Sequence, residues 1–115
     1  MSSRLWKFLV QDIIDAIARI QGYVHDLSLD EFQQDRKTLD AVERNFIIIG
    51  EASGQMPRQV RDKFPLVPWR DMSDMRNYVT HNYWCIEVQQ VWDTIHLDLP
   101  GLVPMLKEML DHETE

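Results

Sequence analysis

Cysteine is almost missing from this chain. Cys85 stands alone, so no disulfide can close within it. That fits a reducing compartment, and a cytoplasmic location is expected. Basic residues are scarce beside acidic ones. Lys and Arg number 12 against 19 Asp and Glu, for a formal net charge of −7. This balance argues against a general nucleic-acid coat protein and against adhesion to an anionic membrane surface. Long apolar runs are lacking too. The longest, Phe46-Ile47-Ile48-Ile49, falls far short of the roughly 20 residues that span a bilayer. Gln11, Asp12 and Asp15 interrupt the apolar residues that follow Arg4 and Lys7. The interruption comes too early for a secretory signal, and no targeting segment is expected. Internal repeats, low-complexity tracts and period-two alternation are absent as well.

What is present is helical periodicity. With 115 residues, 44% of them hydrophobic, the chain can bury one core, and one domain over 1–115 is expected. Leu5, Leu9, Ile13, Ile17 and Ile20 recur at spacings of three and four, with Trp6, Val10 and Ile14 in a second row. So wide an apolar arc predicts a helix packed on two neighbours, in its own bundle or in another subunit. Ser28 and Glu31 form a capping box that opens a second helical region. Its stripe is Leu39, Val42, Phe46 and Ile49, and Gly50, Gly54 and Pro57 read as its stop. A short helix is expected over Arg58 to Phe64. Another starts near Pro68 and continues through Met72, Met75 and Val79. A last region begins near Glu87, with a break or kink expected at Pro100-Gly101. The predicted fold is all-α, an antiparallel bundle of about four to five main helices.

Chemistry concentrates in Arg76-Asn77-Tyr78-Val79-Thr80-His81-Asn82-Tyr83. Arginine presents a planar fork that matches phosphate. Histidine moves protons near neutral pH. Together they suit phosphodiester cleavage without a metal or cofactor. Arg19 and His25 have a similar spacing without the following Asn and Tyr, and read as a solvated pair. On a regular helix Asn77 lies about 40° from His81 and could orient its imidazole. Arg76 and Tyr83 fall within about 20° of one face. Arg76 and His81, however, are about 140° apart, so one helix does not easily aim both at one phosphate. A second copy across a twofold axis solves this, which predicts a site at the cleft of a homodimer. Each of these residues also has a plain structural role open to it, such as a salt bridge from Arg76 to Asp71 or Asp74.

The motif Arg76-Asn77-x-x-x-His81-x-Tyr83 resembles the signature of HEPN-domain proteins, specifically HepT, the toxin of HEPN–MNT toxin–antitoxin pairs. The likeness extends over Asp12-Ile13-Ile14-Asp15-Ala16-Ile17, Ala41 to Arg44 and Ile48 to Ala52. It continues through Pro68-Trp69, Val91 to Ile95 and Asp98-Leu99-Pro100. The resemblance implies a HEPN-like helical homodimer and a metal-independent endoribonuclease toxin cutting cellular RNA, with tRNA one candidate target. It implies His81 as acid/base group, Arg76 as phosphate ligand and Asn77 as a substrate- or His81-holding group. It further implies an MntA-like minimal nucleotidyltransferase antitoxin as partner, which would transfer AMP to Tyr83. That would place bulk and negative charge where an RNA phosphate should sit. Arg44 and Glu51, seven apart on one helix face, are candidates to support the cleft or to form a plain helix salt-bridge network. Trp69 and Trp92 are expected in the core or an interface. The alternative function is a non-catalytic binding or dimerisation module for the partner nucleotidyltransferase.

The charge is not evenly spread. Residues 57–76 carry Arg58, Arg61, Lys63, Arg70 and Arg76 against Asp62, Asp71 and Asp74. A short basic approach to Arg76 therefore interrupts an otherwise acidic surface, and it is compatible with RNA entering a cleft.

Overall fold

The computed structural model describes residues 3–112, with the side chains of Ser3 and Arg4 excepted. Arg4 of the signal-segment reading therefore lies outside the described side chains. Among the described residues the architecture is all-helical. Helix α1 spans Ser3–Val24, α2 Leu29–Gln34, α3 Arg36–Gln55, α4 Arg58–Lys63 and α5 Trp69–His81. Helix α6, Val88–Asp93, runs through a wide π-helical turn, Thr94–Asp98, into α7, Leu99–Asp111.

Helix α3 lies at the centre, packed on α1 and on α5, and α1 also packs on α7. The wide arc of α1 is thus used within the chain. Trp6, Val10, Ile13, Ile17, Ile20 and Val24 are buried, with the Trp6 ring 6.2 Å from that of Phe64. Leu9 and Ile14 are half-buried, while Leu5 remains exposed. The core continues through Val42, Phe46 and Ile49 of α3, Met72 and Val79 of α5, and Leu102, Leu106 and Met109 of α7.

The helix starts follow local chemistry. Ser28 Oγ accepts from Glu31 N–H while Glu31 Oε1 accepts from Ser28 N–H, which completes the capping box of α2. That helix is brief. Asp35 closes it and caps α3, its carboxylate accepting from the Thr38 N–H and hydroxyl. The second helical region is therefore two helices, because a capping aspartate resets the chain between them.

Two expectations at helix ends are corrected. Gly50 and Gly54 do not stop α3, which runs past both to Gln55. Pro57 ends it instead, as the N-cap of α4. At Pro100 the chain does not break, and the irregularity expected there takes the form of the π turn. The Leu99 N–H bonds to Thr94 C=O across the π turn just ahead of it. The wider turn accommodates a residue that lacks an N–H and would crowd the preceding carbonyl.

Candidate active site

Helix α5 carries the motif, and its position is set from α3. Trp69 is buried at its start and donates Nε1–H to Phe64 C=O at 3.1 Å. The buried Ser53 of α3 donates its hydroxyl to Trp69 C=O at 2.9 Å. One turn further, Gly50 is buried directly under Arg76. A β-carbon built at Gly50 would overlap the Arg76 β-carbon and lie 2.8 Å from its γ-carbon. The missing side chain at Gly50 thus lets α5 come close enough for Arg76 to lie along α3. Gly54 has nothing near it. The signal for close packing was the Gly50/Gly54 spacing, which the polar context made easier to read as a stop.

The arginine is held from two sides. Arg76 Nε and Nη2 both donate to Glu51 Oε2, at 2.8 and 2.7 Å. Arg76 Nη1 donates to Asn77 Oδ1 at 3.0 Å. The side chain is 32% exposed, so its stem is packed while its head still reaches solvent. Glu51 therefore pairs with Arg76 and not with Arg44. Arg44 is exposed and shares a groove between α1 and α3 with Asp12 and Glu51. Asp71 and Asp74 do not pair with Arg76 either. Asp74 faces Arg70 at 3.9 Å.

His81 is the last residue of α5 and is exposed. Its imidazole makes no hydrogen bond or ion pair among the described residues. Asn77, expected to orient it, has its carbonyl oxygen engaged by Arg76 instead. The helix stays regular through His81, so the wide angular separation from Arg76 persists within one protomer.

Tyr83 corrects a second geometric expectation. Helix α5 ends at His81, so Tyr83 does not share a helix face with Arg76. It sits in the following turn, 64% exposed, beside an exposed Trp84. That turn is tied at both ends. Asn82 Nδ2 donates to Tyr78 C=O, and the Tyr78 hydroxyl accepts from Glu87 N–H at 2.8 Å. The phenol of Tyr83 is thus presented on an anchored loop next to His81.

The remaining candidates take structural positions. Arg19 does not pair with His25. It donates to Asn45 of α3 at 2.8 Å, while His25 lies 3.6 Å from Asp26. Trp92 is half-buried between Phe32 and His96. Cys85 is an exposed free thiol. Among the described residues no three His, Cys, Asp or Glu side chains cluster as metal ligands, and no helix is long and apolar enough to cross a membrane. His112 lies edge-on to Phe64. Glu113, its acidic neighbour, lies outside the described residues.

Comparison with known proteins bears on this arrangement. Residues 13–109 match the family described as ribonuclease HepT-like. A protein of Thermococcus cleftensis named "Probable ribonuclease HepT" is 36% identical over 99 residues, covering 86% of this chain and 90% of that protein. "Putative RNase MJ0127" of Methanocaldococcus jannaschii is 32% identical over 99 residues, covering 86% of this chain and 82% of its own length. "Putative RNase TTE0752" of Caldanaerobacter subterraneus is 31% identical over 105 residues, covering 91% and 90%. No solved structure matches the chain. The match takes in α3 and α5 whole, and with them Glu51, Arg76 and His81: the chain belongs to the ribonuclease HepT-like family.

Proposed function

We propose that this chain is a metal-independent endoribonuclease toxin of a HEPN–MNT pair, cutting cellular RNA at a homodimer cleft. The observation that carries the reading is the contrast between Arg76 and His81. One is locked by Glu51 and Asn77, and the other is uncovered at the end of the same helix. A fixed guanidinium suits a phosphate whose charge grows in the transition state. A free imidazole suits proton transfer.

The chemistry follows from these two groups. The neutral His81 imidazole accepts the proton of a ribose 2′-hydroxyl. The 2′-oxygen attacks the adjacent phosphorus, and the bond to the 5′-oxygen of the next nucleotide breaks. The protonated imidazole gives its proton to that oxygen, which releases a 5′-hydroxyl, leaves a cyclic phosphate and restores neutral His81. Arg76 binds the non-bridging oxygens throughout, with Asn77 keeping its fork in place. Because one helix holds Arg76 and His81 on different sides, the cleft is assembled from two protomers.

Tyr83 is the regulatory position. An MntA-like nucleotidyltransferase partner would direct its hydroxyl onto the α-phosphorus of ATP, with pyrophosphate leaving. The exposure of Tyr83 on an anchored turn next to His81 supports this role. The added phosphate would occupy the place of the RNA phosphate and repel it.

The test is cleavage by the purified protein with and without a chelator. Parent activity should survive chelation. His81→Ala and Arg76→Ala should each lose activity by about 100-fold or more. Cleavage by His81→Ala at the parent rate would sink the mechanism. Partner binding without any RNA cleavage would favour a binding module instead. Intact mass after co-expression with the partner should show added AMP that Tyr83→Phe abolishes.

A further inference from the structure

One groove has no part in the cleavage chemistry above. It lies between α4 and the start of α5 and encloses about 760 Å³. Its lining includes Arg58, Arg61, Arg70 and Ser73, with Asp62 and Asp71. Its electrostatics differ from those of two other grooves. The apolar groove beside α7 carries Asp71, Asp74 and Asp98 and no basic side chain. The groove between α1 and α3 sets Arg44 against Asp12 and Glu51. The α4–α5 groove has more cations than carboxylates in a chain of net charge −7.

Its arginines are available. Arg58 and Asp62 are 3.8 Å apart and Arg70 and Asp74 are 3.9 Å apart, all four well exposed. Such pairs hold their members weakly. Arg61 has no ion pair at all among the described residues, and its Nε is buried without a hydrogen-bond partner. A buried, unbonded N–H on a cation is unfavourable. The Nη groups of Arg61 are not buried in this way; they can meet an anion in the groove, and the guanidinium fork fits phosphate in particular.

Position gives the groove its meaning. Arg70, Ser73, Asn77 and His81 follow one another on α5 at spacings of three, four and four, so they share one face. The stripe from Arg70 to His81 is about 16 Å long. The basic groove lies at one end of it and the uncovered imidazole at the other.

We propose that the α4–α5 groove is a phosphate subsite, centred on Arg61. It holds the RNA backbone some nucleotides away from the phosphate cut at His81. It reads charge and not base identity. The inference rests on the ribonuclease reading, and the experiment separates the two. The full-length protein is titrated with a fluorescent single-stranded RNA whose ribose 2′-hydroxyls are methylated, which removes the nucleophile. Affinity is measured over a range of salt, and cleavage of ordinary RNA is followed in parallel.

Arg61→Ala should bind this RNA several-fold more weakly whatever its sequence. The slope of log affinity against log salt should shrink by about 0.7, the value for one lost phosphate contact on a single strand. In cleavage, KM should rise while kcat holds. Arg61→Lys should recover part of the affinity. Arg70→Ala, at a side chain 92% exposed, should weaken binding in the same direction with no change in melting temperature. Parent-like affinity and salt slope in Arg61→Ala and Arg70→Ala, with cleavage intact, overturn the subsite alone. A parent protein that neither binds nor cuts RNA overturns the ribonuclease reading and the subsite with it.

Discussion

At the residue scale the site turns on one carboxylate. Glu51 Oε2 accepts two N–H groups of Arg76. The pair is partly exposed, so it adds no more than about 1 kcal/mol to stability. Its value to the proposed chemistry is geometric, since a displacement of about 1 Å can cost 100-fold in rate. Glu51→Ala should therefore lower kcat by about ten- to 100-fold while the melting temperature barely moves. Equal losses of activity and melting temperature would instead make Glu51 a folding residue. Arg76, Asn77, His81 and Tyr83 were legible as a motif because residue type and spacing travel in the sequence. The role of Glu51 was only half legible. Its i−7 neighbour Arg44 is visible along the chain, whereas Arg76 meets it across two helices. The orientation of Asn77 toward Arg76 was equally hidden, because angular separation alone favours His81.

At the element scale the crossing of α3 and α5 decides where Arg76 lies. Alanine normally stabilises a helix over glycine by about 1 kcal/mol. At Gly50 that gain is outweighed, because the new methyl would strike the Arg76 β-carbon, which is fixed to the backbone of α5. Overpacking of this kind costs about 1–3 kcal/mol. Gly50→Ala should lower the melting temperature and the activity together. Gly54→Ala, with nothing near it, should raise the melting temperature or leave it unchanged. Unfolding curves of the two variants check the sign difference, and matching shifts would refute the close approach. Helix α3 and its cap also carry two carboxyls whose acidities are shifted in opposite directions. Thr38, through its hydroxyl and its N–H, holds the Asp35 carboxyl below its usual range. Its contribution is present above the ordinary Asp value and lost as the pH falls through the lowered one. Burial pushes Glu43 up, with Asp40 adding to the effect and Arg36 opposing it. A raised acid favours folding below the ordinary Glu value, and that contribution is lost as pH rises through the raised one. Glu43→Gln should thus be more stable than the parent at pH 7, with the difference shrinking toward about pH 4. A difference independent of pH would show that Glu43 titrates alike in the folded and unfolded chain. Helix existence was readable from apolar spacing and from the Ser28–Glu31 box. The division at Asp35, the passage of α3 through two glycines and the π turn before Pro100 were not. Each depends on what the neighbouring helix or the following turn tolerates, which periodicity along one segment does not encode.

At the scale of the whole molecule the unresolved tension of the motif becomes informative. Helix α5 is regular from Trp69 to His81, and Arg76 is tethered toward α3 by Glu51. A single protomer therefore presents its arginine and its imidazole in different directions. In the proposed twofold dimer each cleft would pair Arg76 of one protomer with His81 of its partner. The acidity of the chain does not oppose this, because its basic residues gather on α4 and α5 while the carboxylates dominate elsewhere. Composite and self-contained sites differ in one measurable way. Arg76→Ala protein and His81→Ala protein, each inactive alone, are mixed and allowed to exchange protomers. If the sites are composite, every mixed dimer has one cleft with both groups intact and one with neither. Equal mixing makes half of the dimers mixed, so about a quarter of the parent activity should return. If each protomer supplies both groups to its own site, every cleft in every dimer lacks one of them and mixing restores nothing. Recovery that tracks the fraction of mixed dimers, read by native mass, would place the cleft between the two chains.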